Sequence, residues 1–321
     1  MQETPVIVLD KNAAYDELKK NNSGLIHISF SELNLFRGCG FRHLIEKYLQ
    51  LSAQPPSIHL IFGNAVHFGY ERKFRDRISL EDAINCFKTE FVREMKSQMS
   101  GMPEMIEMDA FIEQGCNIMT MIDSNKLFEK YELVGCEIAV YEVVFGKFRF
   151  KGFIDLVLKN RKTGRILICD FKTSSEIWQV DKKKKDKVFM AQMRLYKYFY
   201  AKKFNEPIEN IDCKYLVLNR LQMKKMPALG FGKLQTVEIF STHQDILNAI
   251  TLVANSLRDI HIKKEFKKAK LEGRKQDCYF CPYKNNLKIC DNSDDAHKYL
   301  LDEHQLRRKQ IEQGETVKSI F

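Results

Sequence analysis

The sequence lacks an apolar run of the roughly 18 to 20 residues that a helix needs to cross a bilayer. Its N-terminal segment also lacks the charged-then-apolar pattern of a secretion signal. No Gly/Ser-rich or Pro-rich linker and no internal repeat marks a domain boundary. We therefore expect a cytoplasmic protein, in the host cytoplasm if the gene is of phage origin, that folds as a single domain over residues 1–321.

Positive charge and cysteine are what the chain has in excess. The net charge of +10 and the isoelectric point near 9.0 favour a polyanionic partner, through release of its counterions. No basic amphipathic anchor for a membrane stands out, so we expect nucleic acid as that partner. Disulfides are rare in a reducing cytosol, so clustered members of the nine cysteines would indicate a bound metal or cofactor.

Helical patterns dominate the first 130 residues. Ser29-Phe-Ser-Glu32 is typical of a capping box and precedes an amphipathic pattern. The apolar residues of that helix are Leu33, Phe36, Leu44, Ile45 and Leu49. A second helix should begin near Phe62, and residues 80–130 should form two more, separated around residues 100–103.

Strand patterns begin after residue 130, where β-branched and aromatic residues are concentrated. Turn-like segments separate residues 133–145, 148–158 and 166–171, which predicts a three-stranded antiparallel meander. A lysine-rich loop, a helix over 188–204, strands over 212–219 and 234–240, a helix over 242–265, a cysteine-rich stretch over 278–290 and a polar helical tail follow. The sequence therefore predicts a mixed α/β fold.

Two aspartates and a lysine form the first candidate site. Asp170 and Lys172 lie two apart in a predicted strand, so their side chains share one face. Asp155 lies in the preceding strand, and strand pairing would bring both carboxylates and the ammonium to one sheet edge. Carboxylates suit Mg²⁺, which can activate water and neutralise charge at a phosphate. The three residues predict phosphodiester hydrolysis, although an Asp-x-Lys alone is usually a solvated edge pair.

Two predicted helices carry further candidates. Gly63, His67 and Glu71 recur every four residues and therefore share one stripe. His67 can ligate a metal and Glu71 can orient it, but a lone helical histidine is more often packed or solvated. Gln192 and Tyr196 lie one turn apart on the helix after the Asp-x-Lys strand, where they can equally form a core contact.

In their order along the chain, these motifs resemble those of the RecB-like branch of the PD-(D/E)xK nuclease superfamily. The series is Gly-x-x-x-His-x-x-x-Glu, Gly-x-x-Asp, Asp-x-Lys-Thr and Gln-x-x-x-Tyr, over roughly residues 29–290. It is similar to those of AddB-type nucleases and of the CRISPR adaptation nuclease. The resemblance implies a restriction-endonuclease-like core, a central mixed β-sheet flanked by helices, with a helical insertion. We place a helical elaboration at about 78–130, the catalytic core at about 131–240, a C-terminal helix with the cysteines at about 241–292 and a polar tail at 293–321.

The resemblance also implies roles for the candidate residues. His67, Asp155 and Asp170 would be ligands of Mg²⁺ or Mn²⁺, and Lys172 the catalytic lysine. Gln192, Tyr196 and Glu71 would complete the active site or position DNA. The expected protein is a metal-dependent DNA exonuclease that hydrolyses phosphodiester bonds in recombination, repair, phage DNA metabolism or spacer processing.

One alternative is a catalytically silent or partner-dependent DNA-binding subunit of a larger nuclease/helicase complex. The chain has no Gly-x-x-x-x-Gly-Lys-Ser/Thr motif for ATP, so unwinding would require a helicase or recombination partner. Retention of the histidine, both aspartates and the lysine argues against lost catalysis.

Three cysteines, Cys278, Cys281 and Cys290, group with a ligand-like spacing. Cys39 has an aromatic and basic context, whereas the other five cysteines lie in predicted helices or strands, as small buried residues do. Relatives in the same RecB-like subgroup carry one cysteine before the nuclease core and three after it, and bind a 4Fe–4S cluster. The resemblance thus implies an iron–sulfur site that joins the two ends of the chain. Four-thiolate zinc is the rival, because cysteine spacing alone does not separate it from iron–sulfur. Two departures from the family bear on the metal more than on the site: Gly40 stands where proline is common, and eight residues separate Cys281 from Cys290.

A run of charge, Asp181–Lys187, lies between the Asp-x-Lys strand and the Gln192 helix, with Trp178 just before it. Such a run is usually a solvated loop. Because it would lie beside the metal site, we predict that its four consecutive lysines contact DNA phosphates and that Trp178 stacks on an unpaired base. These lysines are Lys182, Lys183, Lys184 and Lys185, with Lys224 and Lys225 as a weaker second candidate. The expected substrate is DNA with a free end or a single-stranded region.

Overall fold

The computed structural model describes residues 25–49, 56–98, 105–123, 126–220 and 233–269, and residues 278, 281–284, 290, 302 and 309. Contacts divide the chain into two compact units, Met1–His27 with Pro55–Ile250 and Ile28–Gln54 with Thr251–Phe321. The single domain therefore stays a prediction. Lys224, Lys225 and all of the predicted tail except residues 302 and 309 lie outside the described residues. Within the described part, no helix is long and apolar enough to cross a membrane.

The described strands form one six-stranded mixed sheet. Its strands are β1 (Ile26–Ser29), β2 (Tyr131–Phe145), β3 (Phe148–Asn160), β4 (Ile166–Ser174), β5 (Ile211–Asn219) and β6 (Lys233–Glu238). The order is β1-β3-β4-β5-β6, and β2 also pairs with β3. The antiparallel pairing of β2 with β3 and of β3 with β4 confirms the predicted meander. β5 then runs parallel to β4 and antiparallel to β6, so the sheet is mixed.

The α-helices confirm the mixed α/β class. They are α1 (Phe30–Gly38), α2 (Gly40–His43), α3 (Ile58–Asp76), α4 (Leu80–Gln98), α5 (Met105–Asp123), α6 (Val180–Lys185), α7 (Lys187–Phe204) and α8 (His243–Arg258). Short π-helical segments, Leu44–Tyr48 and Asp259–Lys263, follow α2 and α8, and 3-10 turns occur at Lys126–Glu129 and Ile208–Asn210. The predicted lysine-rich loop is wrong, because its lysines form α6.

The main hydrophobic core of the first unit packs α3, α4 and α5 against the sheet. Three aromatic rings, Phe62, Phe87 and Phe91, are fully buried in it, with centroids 5.9 or 6.1 Å apart. The β4 residues Cys169 and Phe171 belong to the same core. Because side chains alternate along a strand, the residues between and beyond them, Asp170 and Lys172, face the other side of the sheet. The core thus fixes the orientation of the predicted catalytic pair.

In the second unit the predicted first helix is interrupted. Cys39 is extended, with φ −153° and ψ 109°, and separates α1 from α2. Ser29 caps α1 as predicted, since its hydroxyl accepts from the Glu32 N–H at 3.2 Å. The Glu32 carboxylate bonds instead to His43 Nε2 at 2.9 Å, which holds α1 and α2 together after the break. The capping box is therefore present on the serine side, with its glutamate directed to the next helix.

Candidate active site

Helix α3 and strand β3 bring His67 and Asp155 together. His67 Nδ1 lies 3.6 Å from Asp155 Oδ2. The same carboxylate oxygen accepts a hydrogen bond of 2.7 Å from the backbone N–H of Phe171 in β4. Two neighbouring elements therefore orient Asp155, and the predicted meeting of histidine and aspartate is present.

A glutamate that the sequence analysis did not single out joins them from β2. The ligand atoms of His67, Glu137 and Asp155 all lie within 4.8 Å of one another. Cys136 pairs with Leu156 and Ile138 with Ile154, so the β2–β3 register sets Glu137 opposite Asp155. Glu137 is only 5% exposed. The signal in the sequence was an isolated acid within the apolar run at 136–140.

The Asp-x-Lys strand supplies the adjacent pair. Lys172 Nζ forms an ion pair with Asp170 Oδ2, and the Asp170 side chain is almost fully buried. The other oxygen, Oδ1, accepts a hydrogen bond of 2.8 Å from Gln192 Nε2 on α7. The structure therefore brings Asp170, Lys172 and Gln192 together as predicted from their order in the chain.

Two buried tyrosines enclose this pair. Tyr215, which the sequence analysis missed, lies opposite Asp170 in the β4–β5 register. Its hydroxyl donates to the Phe189 carbonyl at 2.8 Å and lies 3.3 Å from Gln192 Oε1, so it helps to fix the amide of Gln192. The hydroxyl of Tyr196 accepts from Gln192 Nε2 at 3.4 Å. The amide that holds Asp170 is thus itself held from both sides.

The Gly-x-x-Asp motif has glycine at position 152 because a larger residue would clash there. A Cβ at this position would lie 2.6 Å from Cε1 of the Tyr196 ring, closer than two carbon atoms can approach. Tyr196 is 4% exposed and cannot easily move away. The glycine in β3 and the tyrosine in α7 are therefore parts of one contact, which explains why both motifs occur in this chain.

Burial makes ionisation of the carboxylates in this site less favourable. It raises the pKa of Asp155, and the nearby Asp170 and Glu137 raise it further, against the Lys172 ammonium. Burial also raises the pKa of Asp170, which Lys172 opposes. Buried carboxylates of this kind need a counter-cation to stay ionised. One imidazole nitrogen with several carboxylate oxygens is a donor set that fits a hard divalent ion such as Mg²⁺ or Mn²⁺.

Glu71 is the predicted site residue that the structure directs elsewhere. It is buried and forms an ion pair with Arg75, one turn further along α3. Neither Glu71 nor Asp170, a predicted metal ligand, belongs to the group of ligand atoms that His67, Glu137 and Asp155 form. On α3, therefore, His67 contributes to the site, whereas Glu71, one turn further along, does not.

Comparison with known families decides the class of the protein. The model of the PD-(D/E)XK nuclease superfamily matches residues 27–290, more than half of the chain. The chain belongs to the PD-(D/E)XK nuclease superfamily. Membership confirms the restriction-endonuclease-like fold and implies metal-dependent nuclease activity on DNA.

Matches to individual proteins are more distant. A solved structure titled "Crystal structure of SSO0001" has 12% identity and a TM-score of 0.28, over 68% of this chain and 83% of that chain. Among curated proteins, none matches significantly.

In this PD-(D/E)XK nuclease, the lysine-rich α6 is joined to the active site through aromatic rings. Lys182, Lys184 and Lys185 are exposed. Lys183 instead lies over the Trp178 ring, 4.9 Å from its centroid. The Trp178 ring centroid is 6.1 Å from that of Tyr215, and Lys172 Nζ lies 5.6 Å from the Tyr215 centroid.

Trp178 itself is held in place. Its backbone exchanges two hydrogen bonds of 2.9 Å with the Gln235 side chain, and its ring meets Phe189 edge-on at 5.1 Å. The half-buried ring already has partners within the protein. Its stacking on a base stays a prediction, and the three outward-facing lysines are the more accessible part of α6.

The four predicted cysteine ligands of the nuclease lie together in the second unit. Cys39, Cys281 and Cys290 pack against a small core of Phe41, Leu44, Ile45, Leu49 and Tyr283. The Cys281 N–H donates to the Cys278 carbonyl at 3.2 Å. Burial raises the pKa of the Cys281 and Cys290 thiols, and each also responds to the other cysteines of the group. The remaining cysteines, Cys86, Cys116, Cys136, Cys169 and Cys213, lie half-buried in helices or buried in strands.

Glycine stands at position 40, where the resemblance predicts proline, for a steric reason within the second unit. A Cβ there would lie 2.9 Å from the Lys267 nitrogen and 3.2 Å from the Phe266 carbonyl carbon. The N–H of Phe41 also donates to the Lys267 carbonyl at 3.3 Å. Glycine after Cys39 therefore admits the backbone of Phe266–Lys267, which leads toward the other three cysteines.

Proposed function

We propose that this nuclease is a Mg²⁺- or Mn²⁺-dependent DNA exonuclease. The observation that carries the proposal is the meeting of His67, Glu137 and Asp155 beside the Asp170–Lys172 pair. The order of motifs, which resembles that of RecB-like nucleases, supports the exonuclease assignment. Recombination, repair or phage DNA metabolism are the processes that such an enzyme would serve, with or without a helicase partner.

The ligands of the metal would be His67, Asp155 and Asp170, and we add Glu137. When bound, the ion supplies a water of lowered pKa and positive charge for the phosphate. The carboxylates are buried among apolar strands, where their own repulsion favours uptake of a cation.

Lys172 would act at the phosphate. Its ammonium is held beside Asp170 and is half-buried, so it can donate to a phosphate oxygen or to the attacking water. Gln192 keeps the Asp170 carboxylate in one orientation, and Tyr215 and Tyr196 keep Gln192 in place. These residues would position the catalytic pair without contacting DNA themselves.

We also propose that the second unit holds a 4Fe–4S cluster on Cys39, Cys278, Cys281 and Cys290. Four neighbouring thiolates need positive surroundings; burial raises the pKa of Cys281 and Cys290, and Arg42 opposes this at Cys281 as Lys268 does at Cys290. Its role would be structural, since it would join Ile28–Gln54 to Thr251–Phe321. Zinc is the competing occupant, and iron and sulfide content distinguish the two.

The test is a cleavage assay on end-labelled linear DNA, single- and double-stranded, with Mn²⁺, Mg²⁺ or EDTA. We expect Asp170→Asn and Lys172→Ala each to lower the rate by about 100-fold or more, as loss of a charged transition-state contact does. Matched controls are Asp212→Asn, an exposed aspartate paired with Arg165, and Lys162→Ala in the β3–β4 turn. The label released first gives the polarity of digestion.

Metal binding separates the roles of the two residues. Asp170→Asn should weaken Mn²⁺ binding measured by electron paramagnetic resonance, whereas Lys172→Ala should bind Mn²⁺ and lose only cleavage. If the wild-type protein binds DNA tightly and cuts neither strand form under any metal, the proposal gives way to the partner-dependent DNA-binding subunit.

A further inference from the structure

A buried arginine stands at the end of β5. Arg220 is 8% exposed, and its guanidinium carbon lies 5.0 Å from the Phe62 ring centroid and 5.1 Å from that of Phe111. Its Nη2 donates to His59 Nδ1 at 3.1 Å. No carboxylate among the described residues forms an ion pair with it, and its buried Nε has no hydrogen-bond partner there. The cation is thus largely desolvated and has no counter-charge among the residues that the structure describes.

Such an arrangement is costly unless an anion completes it. A buried charge without a partner loses its hydration, and the faces of aromatic rings recover only part of that loss. Burial accordingly lowers the pKa of Arg220. Because His59 accepts through Nδ1, its neutral ring carries the proton on Nε2 and can donate there. His59 is exposed, so its Nε2–H can be reached from solvent, and the guanidinium of Arg220 lies directly behind it.

This pair continues the row that forms the active site. His59, Gly63 and His67 lie four residues apart on α3 and face, in turn, Arg220, the Thr173 hydroxyl and Asp155. The Arg220 N–H donates to the Ser174 carbonyl at 2.7 Å, which fixes it two residues beyond Lys172 along β4. Eight helical residues separate His59 from His67, or about 12 Å.

We propose that Arg220 and His59 bind a phosphate of the DNA strand, upstream or downstream of the bond that is cleaved. The inference rests on the proposed function, because it assigns a second contact to the same substrate. At a rise of about 3.4 Å per nucleotide, the distance corresponds to about three phosphates, and to fewer in a more extended strand. A guanidinium with an adjacent imidazole N–H matches the oxygens of a phosphate.

The test measures DNA binding in the cleavage-deficient Asp170→Asn background, with fluorescent single-stranded DNA at several salt concentrations. Arg220→Met keeps the apolar packing between the rings and removes the charge. We expect it to weaken binding by about 10-fold or more, as loss of a charged hydrogen bond does. The slope of log affinity against log salt should fall by about 0.7, the value for one phosphate. His59→Phe should weaken binding less and leave the slope unchanged.

Controls separate this inference from the proposed function. Arg165→Met, which removes an exposed arginine paired with Asp212, should change neither affinity nor slope. In the protein that retains Asp170, Arg220→Met should leave Mn²⁺ binding unchanged. The melting temperature of the wild-type protein should be higher in inorganic phosphate than in sulfate-free chloride of equal ionic strength. The melting temperature of Arg220→Met should be the same in the two buffers.

The inference is overturned if Arg220→Met folds and binds DNA with the wild-type affinity and slope, since the arginine then only supports the rings. If Arg220→Met does not fold, His59→Phe decides: unchanged affinity rejects the phosphate contact and reduced affinity supports it. A wild-type protein that cleaves DNA while both variants bind normally leaves the proposed function intact. Failure of the wild-type protein to bind any DNA rejects both.

Discussion

Glu137 shows how the site depends on a single strained residue. Its φ is 52°, in the left-handed region that residues with a side chain rarely adopt. The flanking β2 residues pair regularly with β3, so the strand keeps its register through this conformation. A strained, buried acid beside a second buried acid costs stability, and such residues concentrate at functional sites. Its conformation directs the carboxylate toward His67 and Asp155.

Replacing Glu137 with glutamine should separate stability from metal binding. Glu137→Gln removes a charge that opposes ionisation of Asp155, so the metal-free protein should gain about 1 kcal/mol, or roughly 2–4 °C in melting temperature. The same change removes a ligand, so the Kd for Mn²⁺ should rise by about 10-fold, equivalent to 1.4 kcal/mol. Thermal melts in EDTA and in a Mn²⁺ series measure both effects.

The matched control is Glu132→Gln, on the same strand and half-buried. It should leave both the metal-free melting temperature and the Mn²⁺ affinity unchanged. Wild-type behaviour of Glu137→Gln in both measurements would remove Glu137 from the metal site and leave its backbone conformation without a functional reason.

At the scale of elements, the sequence predicted those parts whose pattern has a local cause. The meander follows from apolar runs separated by turns, and Gly152, Gln192 and Tyr196 follow from motif spacing. Glu137 and Tyr215 were missed because their positions depend on strand pairing and register, which no local pattern contains. The break at Cys39 likewise depends on a distant segment at Lys267.

Helix α6 was expected to be a loop, and its structure changes which lysines matter. High charge density is typical of a solvated loop, but lysine is also a good helix former. Asp186 then ends the segment and caps α7, accepting from the Val188 and Phe189 N–H groups at 3.0 Å. The helix turns one lysine, Lys183, toward Trp178 and leaves the others exposed.

Binding of DNA by α6 should therefore depend on three of its lysines. The triple change Lys182, Lys184 and Lys185 to glutamine should lower the slope of log affinity against log salt by about 2, at about 0.7 per phosphate contact with single strands. The measurement is fluorescence anisotropy between low and high salt. Lys183→Gln should mainly lower the melting temperature, because it removes the contact with Trp178.

The control for α6 removes the same charge elsewhere. Lys130, Lys147 and Lys162 are exposed lysines outside α6, and their triple change to glutamine should leave the slope within about 0.5 of the wild-type value. An equal loss of affinity in the two triple variants would show that net charge, rather than α6, governs binding.

At the scale of the whole molecule, the second unit is built from two distant parts of the sequence. Ile28–Gln54 contributes Cys39, and Thr251–Phe321 contributes Cys278, Cys281 and Cys290. Among the residues that the structure describes, the apolar cluster shared by these parts has five buried members, Phe41, Leu44, Ile45, Leu49 and Tyr283. A small core gains most from a metal or cluster that binds only the folded state.

Loss of the cysteine site should therefore unfold the second unit before the first. Cys281→Ser, purified anaerobically, should lose iron, acid-labile sulfide and the visible absorbance of a cluster, and Cys86→Ser, in α4, should keep them. Limited proteolysis should then cut Cys281→Ser within Ile28–Gln54 or Thr251–Phe321, while Mn²⁺ binding at His67 and Asp155 persists. Loss of one zinc ion per chain, with no iron in the wild-type protein, would assign the site to zinc. If Mn²⁺ binding and protease resistance of both units are lost together, the units fold cooperatively and the single domain predicted from the sequence is the better description.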